Sequence, residues 1–127
     1  NVEFKEPVSL HKLADEIAKA DVCLGIFGNT PKAQRVIPNK VFEPLAMKKP
    51  LITMKSKVVE GILIHKVHAY LIEKPTAKKI SNATVELMEN KKLREKISIG
   101  GNKLFKEKFS EAKIGKKIKS ELGKLLS

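Results

Sequence analysis

Residues 25–53 read GIFGNTPKAQRVIPNKVFEPLAMKKPLIT. The segment DVCLGIF (21–27) that leads into this stretch is apolar after its first residue and of strand length, as expected of a strand buried on both faces of a parallel sheet. PLITM (50–54) is a second such run. Between them lie Gly28, a polar loop, and PNKVFEPLAM (38–47), which has Pro38 at a plausible first helical position. Pro44 fits that helix badly, because it lacks an amide hydrogen and crowds the carbonyl four residues back, so a distorted start is expected.

Outward from this core the alternation continues. SLHKLADEIAKA (9–20) predicts a helix with Ser9 as N-cap and Leu10, Leu13, Ala14, Ile17 and Ala18 on one face. NVEF (1–4) alternates and reads as an opening strand. SKVVEGILIHK (56–66) suggests a short helix and AYLIE (69–73) a last strand. Three helical segments follow: Thr76 to Glu89, Lys91 to Phe109 with an interruption at Gly100-Gly101, and Glu111 to Leu126. The last aligns Ile114, Ile118, Leu122, Leu125 and Leu126. Strands alternating with helices indicate right-handed βαβ units. The fold class is therefore α/β, a partial doubly wound parallel sheet of about four strands flanked by helices, with residues 1–127 forming a single partial domain. So thin a sheet reads as part of something larger.

The 127 residues carry a formal charge of +12. Residues 1–73 hold 11 Lys/Arg against 8 Asp/Glu, and residues 74–127 hold 15 against 6. Only Arg35 and Arg94 are arginines and aromatics are few, whereas sequence-specific nucleic-acid readers lean on Arg forks and stacking platforms. No run of about 18 apolar residues offers a membrane span, and the opening residues show no secretory signal pattern. The single cysteine, Cys23, cannot form an internal disulfide and reads as a buried core thiol in a reducing, cytoplasmic compartment.

In a doubly wound sheet, ligands bind beyond the carboxyl ends of the strands, where loops enter helices. Gly28 permits close backbone approach or a positive φ there. The helix at Pro38 aims its free amides and dipole toward that loop, a setting suited to a phosphate or diphosphate. Arg35 and Lys40 add two cations, and Glu43, about one turn further in, can accept hydrogen bonds from a diol such as a ribose. Taken alone, the same residues also fit an ordinary turn glycine, a solvated Lys40, and a Glu43 paired with Lys40 or Lys48. His11, His65 and His68 have no Cys or carboxylate at metal-ligand spacing and read as surface or loop histidines. Glu60 reads as a solvated or capping carboxylate. A Gly-x-Ser-x-Gly elbow, a Walker loop and a paired-Asp metal site are all missing.

From ADVCLGIFG through RVIPNKVFEPLAMKKPLIT, and again in LREKI…FKEKFS, the chain resembles the donor-binding, Rossmann-like C-terminal domain of GT-B glycosyltransferases of retaining family 4. The resemblance implies transfer of a sugar from a nucleotide-diphosphate donor to a glycan or lipid-linked acceptor. Glu43 matches the second Glu of the family's Glu-x7-Glu motif, which binds the ribose, and Arg35 stands where the first Glu would. RVIPNK also resembles a subgroup with Arg and Lys at these positions. Gly28, Ile37, Pro38 and Asn39 then match the loop and helix start near the diphosphate, and Arg35 and Lys40 would stabilise the leaving group. No cofactor or metal is expected, since fixed cations do that task. The partner implied is the acceptor half of the cleft, which would precede Asn1. Two further departures are Lys48, at a usual Gly, and Lys66, at a common Asp-Gly or Asn-Gly turn.

Two alternatives stand beside this. A non-catalytic basic α/β module binding a partner protein or nucleic acid would account for the charge, but not for Arg35 to Glu43. The lysine-rich tail reads first as an amphipathic helix packing its Ile/Leu stripe on the domain. Its other reading is a basic face held against an anionic membrane, peripheral to its inner side.

Overall fold

A computed structural model describes residues 2–126. Its elements run α1 (Leu10–Lys19), β1 (Cys23–Leu24), α2 (Pro31–Arg35), α3 (Asn39–Ala46), β2 (Leu51–Met54), α4 (Lys57–Glu60), β3 (Tyr70–Ile72), α5 (Ala77–Glu89), α6 (Lys91–Lys108) and α7 (Glu111–Leu126). The strands form a parallel sheet in the order β1-β2-β3, with Leu24 opposite Ile52 and Thr53 opposite Leu71.

The apolar runs form strands because both faces of the sheet are covered. All four residues of β2 are buried. Leu51 joins Val41, Leu45, Val59, Leu63, Leu71 and Leu104 on one side. Its neighbour Ile52 joins Ile72, Ala83, Leu87 and Ile97 on the other. Successive strand side chains point to opposite faces, so one short strand feeds two cores. Ladder bonding extends β1 beyond its two residues: Gly25 N–H donates to Ile52 O at 2.8 Å, and Met54 N–H donates to Ile26 O at 3.0 Å. Cys23 is half-buried rather than enclosed, and burial raises its thiol pKa.

Four expectations need correction. The sheet has three strands among the described residues, one fewer than expected: Val2 to Phe4 have no regular structure and are exposed, and Asn1 lies outside the described residues. Alternation alone does not satisfy a strand's backbone groups; a neighbouring strand must. Pro38 is the N-cap of α3, and Asn39 is its first helical residue. Helix α6 runs unbroken through Gly100-Gly101. The glycines serve close packing instead: a Cβ on Gly100 would lie 2.1 Å from Val67 O, and one on Gly101 would lie 2.7 Å from both His68 O and Leu45 Cδ2. Finally, the Ile/Leu stripe of α7 is not packed on the domain; residues 111–125 are all exposed.

The C-terminus of α3 is tied down twice. Lys48 adopts a left-handed conformation (φ 56°). Its N–H donates to Leu45 O at 3.2 Å, and that of Lys49 to Pro44 O at 2.9 Å. This two-bond closure is usually built on glycine. From α6, the buried Asn102 amide donates to Leu45 O and Ala46 O at 3.0 and 3.2 Å.

Candidate functional site

Because the three strands are parallel, the loops after Ile26, Met54 and Ile72 meet at one edge. A cleft of about 520 Å³ opens there, lined by Gly28, Gln34, Lys55, Lys74 and Thr76 among others. The first loop is anchored by Thr53, buried in β2, whose Oγ1 donates to Ile26 O at 3.3 Å and accepts from Ile26 N–H at 3.1 Å. Gly25 is required beside it, since a Cβ there would lie 2.5 Å from Thr53 Oγ1. The loop then enters α2, where Thr30 Oγ1 accepts from Ala33 N–H at 3.2 Å and Pro31 opens the helix. Buried Ala33 lies so near Gly28 that a Cβ on the glycine would come within 3.1 Å of the alanine's Cβ. Close approach, not a positive φ, is what Gly28 supplies.

Lys55 follows β2 directly, and its ammonium pairs with Glu60 at 3.1 Å. Lys74 follows β3 in a left-handed conformation (φ 49°). The carbonyls of Glu73 and Lys74 accept from the Lys79 ammonium at 2.8 and 3.2 Å, which fixes the turn below the cleft. The cleft thus places two lysine side chains opposite a glycine loop.

The residues singled out from the sequence are distributed around this edge. Gly28 lines the cleft. Arg35 ends α2, exposed, with its Nε–H donating to Pro31 O at 3.2 Å. Ile37 packs on the core, Pro38 is half-buried, and Asn39 and Lys40 are exposed at the first turn of α3. Glu43 is half-buried and lines a separate groove of about 250 Å³ with Leu10, Leu13, Ile17 and Met47. Among the described residues its carboxylate makes no hydrogen bond or ion pair, so neither Lys40 nor Lys48 neutralises it. Arg35, Lys40 and Glu43 do not line the 520 Å³ cleft.

Sequence reasoning missed α2, Gln34, Lys55, Lys74 and Thr76. The signal for α2 was Thr-Pro, an N-cap followed by a proline at the first helical position. The signal for the two lysines was position: each stands within two residues of a strand's carboxyl end.

A second polar cluster lies where α5 meets the turn before β3. Glu86 accepts from Lys66 Nζ at 2.8 Å and from Tyr70 OH at 2.5 Å. His65 meets the Tyr70 ring edge-on at 4.9 Å. The hydrogen bonds from Lys66 and Tyr70 hold the Glu86 carboxyl below its ordinary range. Burial, followed by the bond to Glu86, pushes the Tyr70 phenol up to about 12. The nearby histidines act as acceptors. His65 Nδ1 takes Leu71 N–H at 2.9 Å and His68 Nδ1 takes Ile64 N–H at 3.0 Å. Burial lowers the pKa of both. Lys66, like Lys48, occupies a left-handed conformation (φ 60°). Both departures noted in the sequence therefore fall where the backbone favours glycine.

Among the described residues no helix is long and apolar enough to cross a membrane. A family model described as glycosyl transferases group 1 matches residues 1–104. No curated protein sequence matches significantly. Among solved structures, the chain is similar to the C-terminal domain of a glycosyl transferase group 1 family protein (LpcC) from Francisella tularensis. The TM-score is 0.66 at 20% identity, covering 85% of this chain and 53% of that one. The chain therefore spans about half the length of that relative.

Proposed function

Because the chain belongs to the glycosyl transferases group 1 family, we propose that it forms the donor-binding side of a sugar-transfer site, holding a nucleotide-diphosphate sugar at the carboxyl edge of the sheet. The observation that carries this reading is the unpaired, half-buried Glu43 carboxylate one turn inside α3, the helix whose first turn bears Lys40. Its oxygens are open to a ligand, and a ribose diol offers two hydroxyl donors to such a carboxylate. Arg35, Lys40 and the first amides of α3, which have no intrahelical acceptors, bind the diphosphate, and Ile37, Pro38 and Asn39 set that turn. As the bond between the sugar and the diphosphate breaks and the acceptor oxygen bonds to the sugar, charge accumulates on the diphosphate. Fixed cations stabilise that charge without a metal ion. The acceptor, a glycan or a lipid-linked sugar, binds on a surface contributed from outside this chain.

The test is calorimetry with a nucleoside diphosphate and the matching nucleoside. Arg35→Ala and Lys40→Ala should weaken diphosphate binding by about tenfold or more, the worth of one charge-assisted contact, and leave nucleoside binding little changed. Glu43→Gln should weaken both. Unchanged diphosphate affinity in the two cation variants, or no binding by the wild-type chain, refutes the assignment.

A further inference from the structure

The turn between α4 and β3 is closed by two imidazole rings. Its backbone supplies three bonds: Val67 and His68 N–H share Ile64 O at 3.1 and 3.0 Å, and Lys66 N–H donates to Ala69 O at 2.8 Å. Two further closures run to side chains. His68 Nδ1 accepts Ile64 N–H at 3.0 Å, and His65 Nδ1 accepts Leu71 N–H at 2.9 Å. Leu71 belongs to β3, which has a strand on one side only, so this amide takes its acceptor from the turn and not from the ladder. An imidazole nitrogen accepts only while it carries no proton. Both rings are therefore neutral in the closed turn, with their hydrogen on Nε2.

We propose that the 64–71 turn is a proton-released latch: protonation of His65 and His68 turns both Nδ1 acceptors into donors, frees the amides of Leu71 and Ile64, and opens the turn beneath α6. An imidazolium donates at both nitrogens and accepts at neither, so each proton removes one hydrogen bond and sets two N–H groups against each other. The surroundings also oppose the charged rings. Around His65 stand Lys66 of the same turn, Lys55 after β2 and Glu86 on α5, two ammonium groups against one carboxylate, and Tyr70 of β3 meets the ring edge-on. Near His68 stands Lys108 of α6. Burial first, and these lysines second, hold both rings below their ordinary pKa. The closed turn thus resists protons, and by linkage protons favour the open one. The stabilisation is complete above about pH 6.5, where the rings are neutral in either state, and is lost as the pH falls through the lowered folded values. What the latch supports is α6, whose Gly100 and Gly101 pack on Val67 O and His68 O. The next residue, Asn102, holds the end of α3 through Leu45 O and Ala46 O. Opening of this kind is local, below the free energy of global unfolding.

The inference rests on the turn alone and stands independently of the sugar-donor reading. It is tested by amide hydrogen exchange followed by NMR between about pH 8 and pH 5, each rate expressed as protection relative to an unstructured chain at the same pH. With an open-state pKa of about 6.5, each histidine raises the open fraction by up to about tenfold at pH 5.5. Protection of the Ile64 and Leu71 amides should fall several-fold or more across this range. The amides of Gly25 and Met54, bonded between β1 and β2, should keep theirs. His65→Asn with His68→Asn puts a side-chain amide oxygen in the place of each Nδ1, an acceptor that does not titrate here. In that variant protection should persist and lose its pH dependence. Long-range proton–nitrogen spectra of the unmodified protein should show both Nδ1 atoms unprotonated at neutral pH. Overturning results would be hydrogen on Nδ1 of either ring at neutral pH, unchanged protection of Ile64 and Leu71 down to pH 5, or the same acid loss in the Asn variant. Parallel loss at Gly25 and Met54 would also overturn it, by showing that acid unfolds the sheet and not the turn. If the Asn variant does not fold, the spectra and the titration of the unmodified protein decide between these outcomes.

Discussion

Gly100→Ala and Gly115→Ala are the same substitution in the interior of a helix, yet they should change stability in opposite directions. Helix propensity alone favours alanine by about 0.8–1.0 kcal/mol at either site. At Gly115 nothing lies within 4 Å of the added Cβ, so that gain is the whole effect. At Gly100 the new atom would lie 2.1 Å from Val67 O, more than 1 Å inside ordinary contact. The turn carrying Val67 cannot easily retreat, because Val67 and His68 N–H both donate to Ile64 O and Lys66 N–H donates to Ala69 O. Overpacking of this kind costs about 1–3 kcal/mol, and more where backbone must move. Less the propensity gain, Gly100→Ala should destabilise by up to about 2 kcal/mol, and by more where the 64–69 backbone must shift. With an unfolding entropy of about 2.1 cal/mol/K per residue, each kcal/mol shifts Tm by about 4 °C in a chain of this length. Thermal and urea unfolding followed by circular dichroism read both variants. If Gly100→Ala stabilised the protein as Gly115→Ala does, α6 would not rest on the 64–69 turn and the account of the glycine pair would be wrong.

Lys48→Gly should stabilise the chain by about 0.5–1 kcal/mol, since a left-handed residue costs about 1–2 kcal/mol and glycine's own entropy returns part of it. Lys48→Ala should gain nothing, and equal gains from both in urea midpoints would refute the conformational explanation. Tyr70 is the single tyrosine, so absorbance near 295 nm titrates it directly. Its midpoint should lie near 12, and Glu86→Gln should lower it. Because the folded pKa is raised above the unfolded value of about 10, its stabilising contribution is complete below pH 10 and lost as pH climbs toward 12. A midpoint near 10 in the folded protein would show that the phenol is free of Glu86.

The parts of the fold legible in the sequence are those where local pattern and tertiary role agree. Ser9 stands at the N-cap of α1 as its position before the apolar stripe implies, α5 and α6 begin within one residue of the expected Thr76 and Lys91, and β2 is buried on both faces as its unbroken apolar run implies. Gly100-Gly101 was misleading because glycine's low propensity marks a break only when nothing outside the helix needs the space. NVEF alternates, but whether four residues pair depends on a neighbour that no local pattern reveals. For the site, the order strand, Gly28, loop and helix was readable. The convergence of Lys55 and Lys74 on Gly28 was not, because it depends on three strand ends brought side by side by topology. Lys48 and Lys66 were visible as departures, but their left-handed backbone could be seen only in the fold.

Asn102 gives the site a timetable. The carbonyls of Leu45 and Ala46, at the end of the helix that carries Lys40 and Glu43, take their amide donors from a residue as many as 57 positions downstream. At roughly 5–20 residues per second of synthesis, that donor appears about 3–11 s after the carbonyls it serves. Through that interval the nascent α3 can be closed at its C-terminus by Lys48 and Lys49 but not held against α6. The segment bearing the candidate donor-binding residues is therefore made early and locked late, and a stall on the ribosome before residue 102 would leave it the exposed, unsupported part of the growing chain.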